Sequence, residues 1–201
     1  MNRYAHARFL WPVFVMLMFG TVHAQSIAPL PGTLTTLLDN AAGSDMHGRA
    51  AVNIAAGAGN VQANTAVLAP DGIAVVRQNQ ATRIQAGPGT ASSQIGADVF
   101  QNANGLLSLN MASGYGNLQG NTVAVAQAVE IESVADSMLQ STTAHRSRSD
   151  APVVVSSHRQ ATVHPDAFAG ANGVVQVNQA AGSGNVASNV FVLRPPAGTL
   201  F

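Results

Sequence analysis

Alternation of apolar and polar residues marks several short β-strands along the chain. Val175 and Val177 stand on either side of a polar residue, and so do Leu107 and Leu109. An apolar residue at every second position predicts a half-buried β-strand. Each of these runs leads into a glycine-rich turn, and apolar residues return after the turn at 67–68, 123–125 and 191–193. Strand, glycine arc and strand together predict a β-hairpin or the corner of a β-solenoid.

This pattern is a repeat of seventeen residues that occurs three times, at 48–64, 105–121 and 173–189. Repeats of this kind are supersecondary units that bury their apolar faces by stacking on one another. Seven positions are identical in all three copies. They are Gly48, Asn53, Ala55, Gly57, Gly59, Asn60 and Asn64 in the first copy, Gly105, Asn110, Ala112, Gly114, Gly116, Asn117 and Asn121 in the second, and Gly173, Asn178, Ala180, Gly182, Gly184, Asn185 and Asn189 in the third.

The repeated asparagines predict hydrogen-bonded ladders. An Asn amide carries two donor hydrogens and an acceptor oxygen, so identical side chains stacked in register can bond to the copy above and the copy below. Asn53 and Asn64, with their equivalents, flank the turn inside apolar runs, which favours ladders there. Asn60 and its equivalents follow the second glycine of the turn. Asn is also a common turn former, so both interpretations stay open at that position.

A leader with constant spacing precedes the second and third copies. Asp98 and Phe100 stand seven and five residues before Gly105, and Asp166 and Phe168 stand at the same distances before the third copy. We expect the two Phe side chains to stack or pack. We expect the two Asp side chains to bond turn amides, with a calcium role as the alternative. The first copy shows no clear leader.

The segments between the copies also contain strand-like stretches. Residues 73–85 are predicted as one strand. Residues 122–133 alternate over the longest distance and are predicted as another, with a helix over 124–139 as the competing interpretation. Residues 140–151 are polar and predict a linker, and a further strand begins at 153–155.

The N-terminal segment 1–24 has the layout of a secretory signal peptide. Arg3 and Arg8 give a positive start, residues 9–19 form an apolar core, and a small-residue site predicts cleavage between Ala24 and Gln25. The apolar run falls short of the roughly 20 residues that a membrane helix needs, and no transmembrane helix is predicted in the mature chain. The chain is thus divided into a signal peptide (1–24), an N-terminal segment (25–47) and a three-repeat β-domain (48–201) with linkers at 70–97 and 140–165.

Composition favours a self-associating sheet. Loss of Arg3 and Arg8 from the nine basic residues leaves seven against nine acidic residues, a net charge near −2. Such a charge is too small to attract nucleic acid or an anionic membrane. Only 9% of residues are charged and there is no cysteine. Few charges therefore interrupt the strands, and backbone pairing has to supply the stability that disulfides give to other exported proteins.

No catalytic, cofactor-binding or metal-binding pattern is found in the sequence. The four histidines outside the signal peptide are scattered without an i, i+4 pair, and no cysteine is available as a nucleophile. No Gly-x-Ser-x-Gly elbow is present. The Gly-x-Gly turns lack the lysine and the helix of a phosphate-binding loop. We therefore predict a protein that is not an enzyme and that uses no cofactor.

The repeat cores resemble those of bacterial functional amyloids. Residues 175–189 read V-Q-V-N-Q-A-A-G-S-G-N-V-A-S-N, and residues 52–64 read V-N-I-A-A-G-A-G-N-V-Q-A-N. Fap-type fibre proteins have similar cores, V-N-x-A-A-G-x-x-N-x-Q-x-N, separated by dissimilar linkers. The likeness to curli subunits is looser, because curli repeats have Gln where Ala55, Ala112 and Ala180 stand. The resemblance covers about a quarter of the chain and implies self-association into surface fibres.

The patterns and the resemblance together predict an all-β repeat protein of stacked β-arc or hairpin modules, either β-solenoid-like or a flat sheet. The copies begin at Gly48, Gly105 and Gly173. The distance from each copy to the next is too long for one solenoid turn, so the linker strands are expected to join the stack or to loop out.

The predicted function is that of an exported structural protein that reaches the cell surface through the periplasm and is a subunit, accessory or nucleator of an amyloid-like fibre or biofilm matrix. Assembly is predicted to proceed by strand addition, with Asn/Gln ladders fixing the register. Its predicted partners are itself or a related fibre subunit, together with outer-membrane secretion proteins. The alternative is a monomeric surface adhesin or an outer-membrane-associated binding module.

Overall fold

The described part of the chain is built from short β-strands and the turns between them. The computed structural model describes residues 22–24, 32–69, 74–78, 80–85, 89–126, 139–144 and 158–194. The strands are β1 (Val22–Ala24), β2 (Gly32–Leu38), β3 (His47–Ala56), β4 (Val61–Ala69), β5 (Gln80–Gln85), β6 (Gly89–Ile95), β7 (Asn104–Ser113), β8 (Leu118–Ala126), β9 (Leu139–Ala144), β10 (Arg159–Val163), β11 (Asn172–Ala181) and β12 (Val186–Leu193).

These strands pair into four parallel three-stranded sheets, β1-β5-β9, β2-β6-β10, β3-β7-β11 and β4-β8-β12. Each sheet takes one strand from each of three successive stretches of chain. We call these stretches rung 1 (22–69), rung 2 (80–126) and rung 3 (139–193). Rung 2 is the middle member of every sheet. The fold is therefore a β-solenoid of three rungs, which confirms the predicted stack of all-β repeats and selects the β-arc over the antiparallel hairpin.

Register places each repeat directly on the next. His47 pairs with Asn104 and Asn104 pairs with Asn172, so the offsets between paired residues equal the spacing of the copies along the sequence. The sheet of β4, β8 and β12 has the same offsets. The linker strands β5, β6, β9 and β10 join the stack as additional strands of rungs 2 and 3. The long spacing of the copies thus fits one rung, because each rung contains four strands rather than two.

Side-chain hydrogen bonds give the order of the four sheets across the molecule. Gln179 of β11 donates to the Ser93 carbonyl of β6, Asn121 of β8 donates to the Leu109 carbonyl of β7, and Gln80 of β5 donates to the Gln119 carbonyl of β8. The β3-β7-β11 and β4-β8-β12 sheets therefore lie inside, between the other two sheets. Nearly all of β7 and β8 is buried.

An apolar core fills the space on one side of the β3-β7-β11 sheet. Its buried members are Leu107, Leu109 and Met111 of β7, Ile95 of β6, and Val99, Phe100 and Ala103 of the turn that follows β6. The other side of this sheet, which faces β8, is filled mainly by amide side chains. Strand alternation separates the two environments, because successive side chains point to opposite faces.

The turn before each inner strand is also stacked, and here the structure corrects one expectation. Residues 39–46 occupy the same position in rung 1 as the leaders of rungs 2 and 3. The first copy therefore has a leader, although its sequence lacks the Asp and Phe that the other two have at equivalent positions. Gly43 stands where Phe100 and Phe168 stand, and all three have positive φ. The two Phe rings stack with centroids 6.0 Å apart, as predicted, and Phe100 also covers Gly43.

Several strand boundaries differ from the sequence expectations. Among the described residues of the predicted strand at 73–85, residues 80–85 form β5, and residues 74–78 run alongside β8 without pairing. Strand β8 ends at Ala126, and the rest of the predicted strand at 122–133 and the predicted strand at 153–155 lie outside the described residues. Strand β2 belongs to the stack although it falls in the segment 25–47. Strand β1 lies within the predicted signal peptide.

The first glycine of each arc permits the close approach of the rungs. Gly57, Gly114 and Gly182 have φ of 107°, 130° and 125°. A Cβ atom on Gly57 would lie 2.0 Å from the Gly114 carbonyl oxygen, and a Cβ atom on Gly114 would lie 1.7 Å from the Gly182 carbonyl oxygen. At Gly57 and Gly114, both the positive φ and the backbone contact exclude any larger residue.

We expect Gly114→Ala to lower the free energy of unfolding by about 3 kcal/mol or more, because the methyl group would separate rungs 2 and 3 at the arc. Denaturant unfolding followed by circular dichroism measures this. Ser183→Ala is the matched control, since Ser183 is an arc residue of rung 3 without positive φ. An equal effect of the two substitutions would contradict the proposed role of the glycine.

Candidate assembly site: amide ladders between two open rungs

Six asparagines form one continuous ladder between the two inner sheets. They alternate between the sheets in the order Asn53, Asn64, Asn110, Asn121, Asn178 and Asn189. From Asn110 onwards, each Nδ2 donates to the Oδ1 atoms of the two preceding members, over 2.9–3.1 Å. Each of these Nδ2 groups also approaches a backbone carbonyl, such as the Ala63 carbonyl at 3.0 Å from Asn110.

Burial of this ladder makes its hydrogen bonds energetically important. Asn110 and Asn121 are fully buried in rung 2, and Asn178 is 6% exposed. A buried amide without partners costs free energy comparable to one or more lost hydrogen bonds. Identical side chains at the rung spacing satisfy one another, which explains why the repeat keeps Asn at these positions.

A second ladder runs through the arcs. The Nδ2 of Asn117 donates to the Oδ1 of Asn60 at 2.8 Å, and the Nδ2 of Asn185 donates to the Oδ1 of Asn117 at 2.8 Å. The same oxygens accept the backbone N–H of the next rung at 3.0 Å. The Nδ2 groups of Asn60 and Asn117 also donate upward, to the Gly114 and Gly182 carbonyls. Asn60 and its equivalents are therefore both turn residues and ladder residues.

Glutamine adds a shorter ladder, which confirms the predicted contribution of Gln as well as Asn. Gln62 donates to the Oε1 of Gln119 at 2.8 Å, and Gln119 donates to the Met111 carbonyl. Rung 3 has Ala187 at the equivalent position, so this ladder ends after two members. Only two of the three copies carry Gln here, so this position is not among those that are identical in all three copies.

Glycines of the repeat lie at the positions where rungs meet by backbone. A Cβ atom on Gly105 or Gly173 would lie 2.0–2.1 Å from the carbonyl oxygen of the equivalent glycine one rung below. Gly48 of rung 1 has open space at the same place. Gly59, Gly116 and Gly184 complete the arcs with φ of 65–72°.

The ladders have a direction, and their two ends are complementary. Within the described chain, the Nδ2 of Asn53 donates to no other group, and this residue belongs to rung 1. At the other end of the stack, the Oδ1 atoms of Asn185 and Asn189 accept no hydrogen bond from the described residues. Rung 1 therefore presents one ladder donor, the Nδ2 of Asn53, and rung 3 presents two ladder acceptors, the Oδ1 atoms of Asn185 and Asn189.

Rung 3 also exposes apolar side chains whose equivalents in rung 2 are covered. Val175 is 39% exposed, whereas its equivalent Leu107 is 1% exposed, and Val186 is 47% exposed, whereas Leu118 is fully buried. An open groove of about 410 Å³ runs between β11 and β12, lined by Val174, Val175, Gln176, Val177, Asn189, Val190 and Phe191. The groove lies on rung 3 where rung 3 itself lies on rung 2, so a fourth rung added to the stack would fill it.

The described residues offer no comparable site for chemistry. Among them, no three His, Cys, Asp or Glu side chains come together in a way that could hold a metal ion. His164 contacts Asp166 at 3.5 Å on the surface. No helix in the described ranges could cross a membrane.

The fold is a parallel, in-register stack of β-repeats with buried amide ladders, and the strands at both ends of the stack have one unpaired edge. This is the architecture of amyloid-type proteins. Residues 21–196 match the functional amyloid protein FapB/FapC family. The chain belongs to this family, which agrees with the resemblance of the repeat cores. The family is one of functional amyloid proteins and not of enzymes. No solved structure matches the chain.

We expect the cost of removing a ladder amide to depend on its rung. Asn110→Ala leaves several buried partners unsatisfied and should lower the free energy of unfolding by about 2–4 kcal/mol. Asn53→Ala removes the same amide at the exposed end of the same ladder, and should cost about 1 kcal/mol or less. Denaturant midpoints of the two variants provide the comparison, and a larger loss for Asn53→Ala would show that the ladder does not stabilise the stack.

Proposed function

We propose that this functional amyloid protein is exported and acts as a subunit or nucleator of a fibre at the cell surface or in the biofilm matrix. The observation that carries the proposal is the complementarity of the two open rungs. The register that places rung 3 on rung 2 would equally place rung 1 of a second copy on rung 3. Asn53 of the second copy would then donate to Asn178 and Asn189, as Asn110 donates to Asn53 and Asn64.

Backbone pairing would add to the ladders. Strands β11 and β12 each have one paired edge in the described structure and one open edge, and so do β3 and β4. An open strand edge is a template for another strand. Fibre growth by this route keeps the backbone of the rungs unchanged, because the strand pairing and the asparagine ladders at the junction would copy those already made inside the molecule.

Export through the predicted signal peptide would supply the mature chain, residues 25–201. Cleavage after Ala24 would remove β1, which pairs only through three residues with β5. The mature chain would thus keep all the strands that carry the ladders. Related fibre subunits and outer-membrane secretion proteins are the proposed partners beyond the protein itself.

The first test is the assembly of the purified mature chain. We expect thioflavin fluorescence to rise over hours to days, and fibre diffraction to show reflections near ~4.7 Å and ~10 Å. A variant that lacks residues 173–189 should not assemble, because it loses the rung 3 strands. A mature chain that stays monomeric at high concentration would overturn the proposal in favour of a surface adhesin or outer-membrane binding module.

A single methyl group tests the proposed junction. Within one molecule, the Cβ atom that Gly48→Ala adds lies in open space. In the proposed junction it would clash with the Gly173 carbonyl of the neighbouring copy. The same clash is seen inside the molecule, where a Cβ atom on Gly105 would overlap the Gly48 carbonyl. We expect seeded elongation to fall at least about tenfold, since a clash with backbone cannot be relieved by a rotamer change.

The positive φ of Gly48 (103°) adds a strain that is separate from the junction. The denaturant midpoint of the Gly48→Ala variant measures that strain directly. Elongation as fast as that of the unaltered chain would show that rung 1 does not dock on rung 3.

A further inference from the structure

One charged side chain lies across the open edge of rung 1. The Nη2 of Arg49 donates to the backbone carbonyl of Asn64 at 3.3 Å. Arg49 belongs to β3 and Asn64 to β4, so the side chain bridges the two inner sheets. At the equivalent positions, rungs 2 and 3 have Leu106 and Val174, which are apolar and partly buried. The charge is therefore specific to rung 1.

The carbonyl that Arg49 binds is one that faces away from rung 2. The backbone N–H of Val61 donates to the Asn117 carbonyl of rung 2. Peptide groups alternate in direction along a strand, so the groups of Gln62 and Asn64 point to the opposite side. That side is the outer edge of the stack in the described structure.

The register identifies the group that would need this carbonyl in an assembled fibre. Thr65 pairs with Thr122, and Thr122 pairs with Val190. In a parallel ladder the N–H of each residue bonds the carbonyl that precedes its partner. Thr65 thus donates to the Asn121 carbonyl and Thr122 to the Asn189 carbonyl. Val190 would donate to the Asn64 carbonyl of the next copy.

We propose that Arg49 guards the rung 1 edge against a second copy of this chain, because its guanidinium occupies the carbonyl that the Val190 amide of that copy must bind. Docking would place Val174 of the partner copy directly beside Arg49, since both residues are equivalent to Leu106. The guanidinium must therefore release the Asn64 carbonyl and turn away from the incoming strands. The contact slows each addition step without being part of the finished ladder. This inference rests on the proposed function, since it assumes that rungs 1 and 3 meet.

Arg49→Leu tests the guard, because Leu is the residue that rung 2 accepts at the equivalent position. Seeded elongation of the mature chain, followed by thioflavin fluorescence, should be about three- to tenfold faster than for the unaltered chain, as expected for loss of one solvent-exposed competing hydrogen bond. Arg77→Leu is the matched control. It removes the same charge from the segment 74–78, which packs at the level of rung 2.

Cross-seeding shows which end of the fibre grows. If incoming chains dock by rung 1, elongation is faster when Arg49→Leu chains are added to unaltered seeds. If seeds grow at rung 1, elongation is faster when unaltered chains are added to Arg49→Leu seeds. Acceleration in either arrangement, absent with Arg77→Leu, supports the guard. An Arg49→Leu rate equal to that of the unaltered chain or of Arg77→Leu overturns it. Failure of the unaltered chain to elongate at all overturns the proposed function instead.

Discussion

The buried asparagines between β7 and β8 are satisfied by one another and by backbone carbonyls of the stacked strands, and the rest of the structure depends on this constraint. Asn110 and Asn121 have no access to water, so each finds its partners inside the stack, both in its own rung and in the neighbouring rungs. A shift of register by one residue would turn these amides to the other face of the sheet and bring apolar side chains into the ladder. The ladders therefore select one register among all the pairings that apolar strands would accept.

Close stacking places an equally strict demand on the backbone. At the arc and at the start of β3, β7 and β11, the rungs approach so closely that a Cβ atom would overlap a carbonyl oxygen of the adjacent rung. Glycine at these points lets the chain turn with positive φ and lets the rungs touch. The turn at 39–46, 96–103 and 164–171 is more tolerant, because Gly43, Phe100 and Phe168 take the same positive φ there.

The stack is open at both ends, because the strands of rungs 1 and 3 pair on one side only in the described structure. The strand pairing and the asparagine ladders of rung 2 continue above and below it, so rungs 1 and 3 each display open strand edges, and rung 3 also displays ladder acceptors and exposed valines. Membership in a family of functional amyloid proteins fits this geometry. Differences between the rungs then gain importance for the proposed assembly, because Arg49, Gly43 and Ala187 break the repetition on the two outer rungs.

The sequence by itself determined the repeat, the strand–arc–strand order and the asparagines that form ladders, because identical residues at identical offsets must share one environment. It left open whether Asn60 is a turn former or a ladder residue, and Asn60 serves as both. Only the tertiary structure revealed that residues 39–46 form a leader, that β2, β5, β6, β9 and β10 join the stack, and that Arg49 lies on an edge carbonyl. These features depend on strand pairing between distant segments, and sequence alternation carries no information about which strand lies beside which.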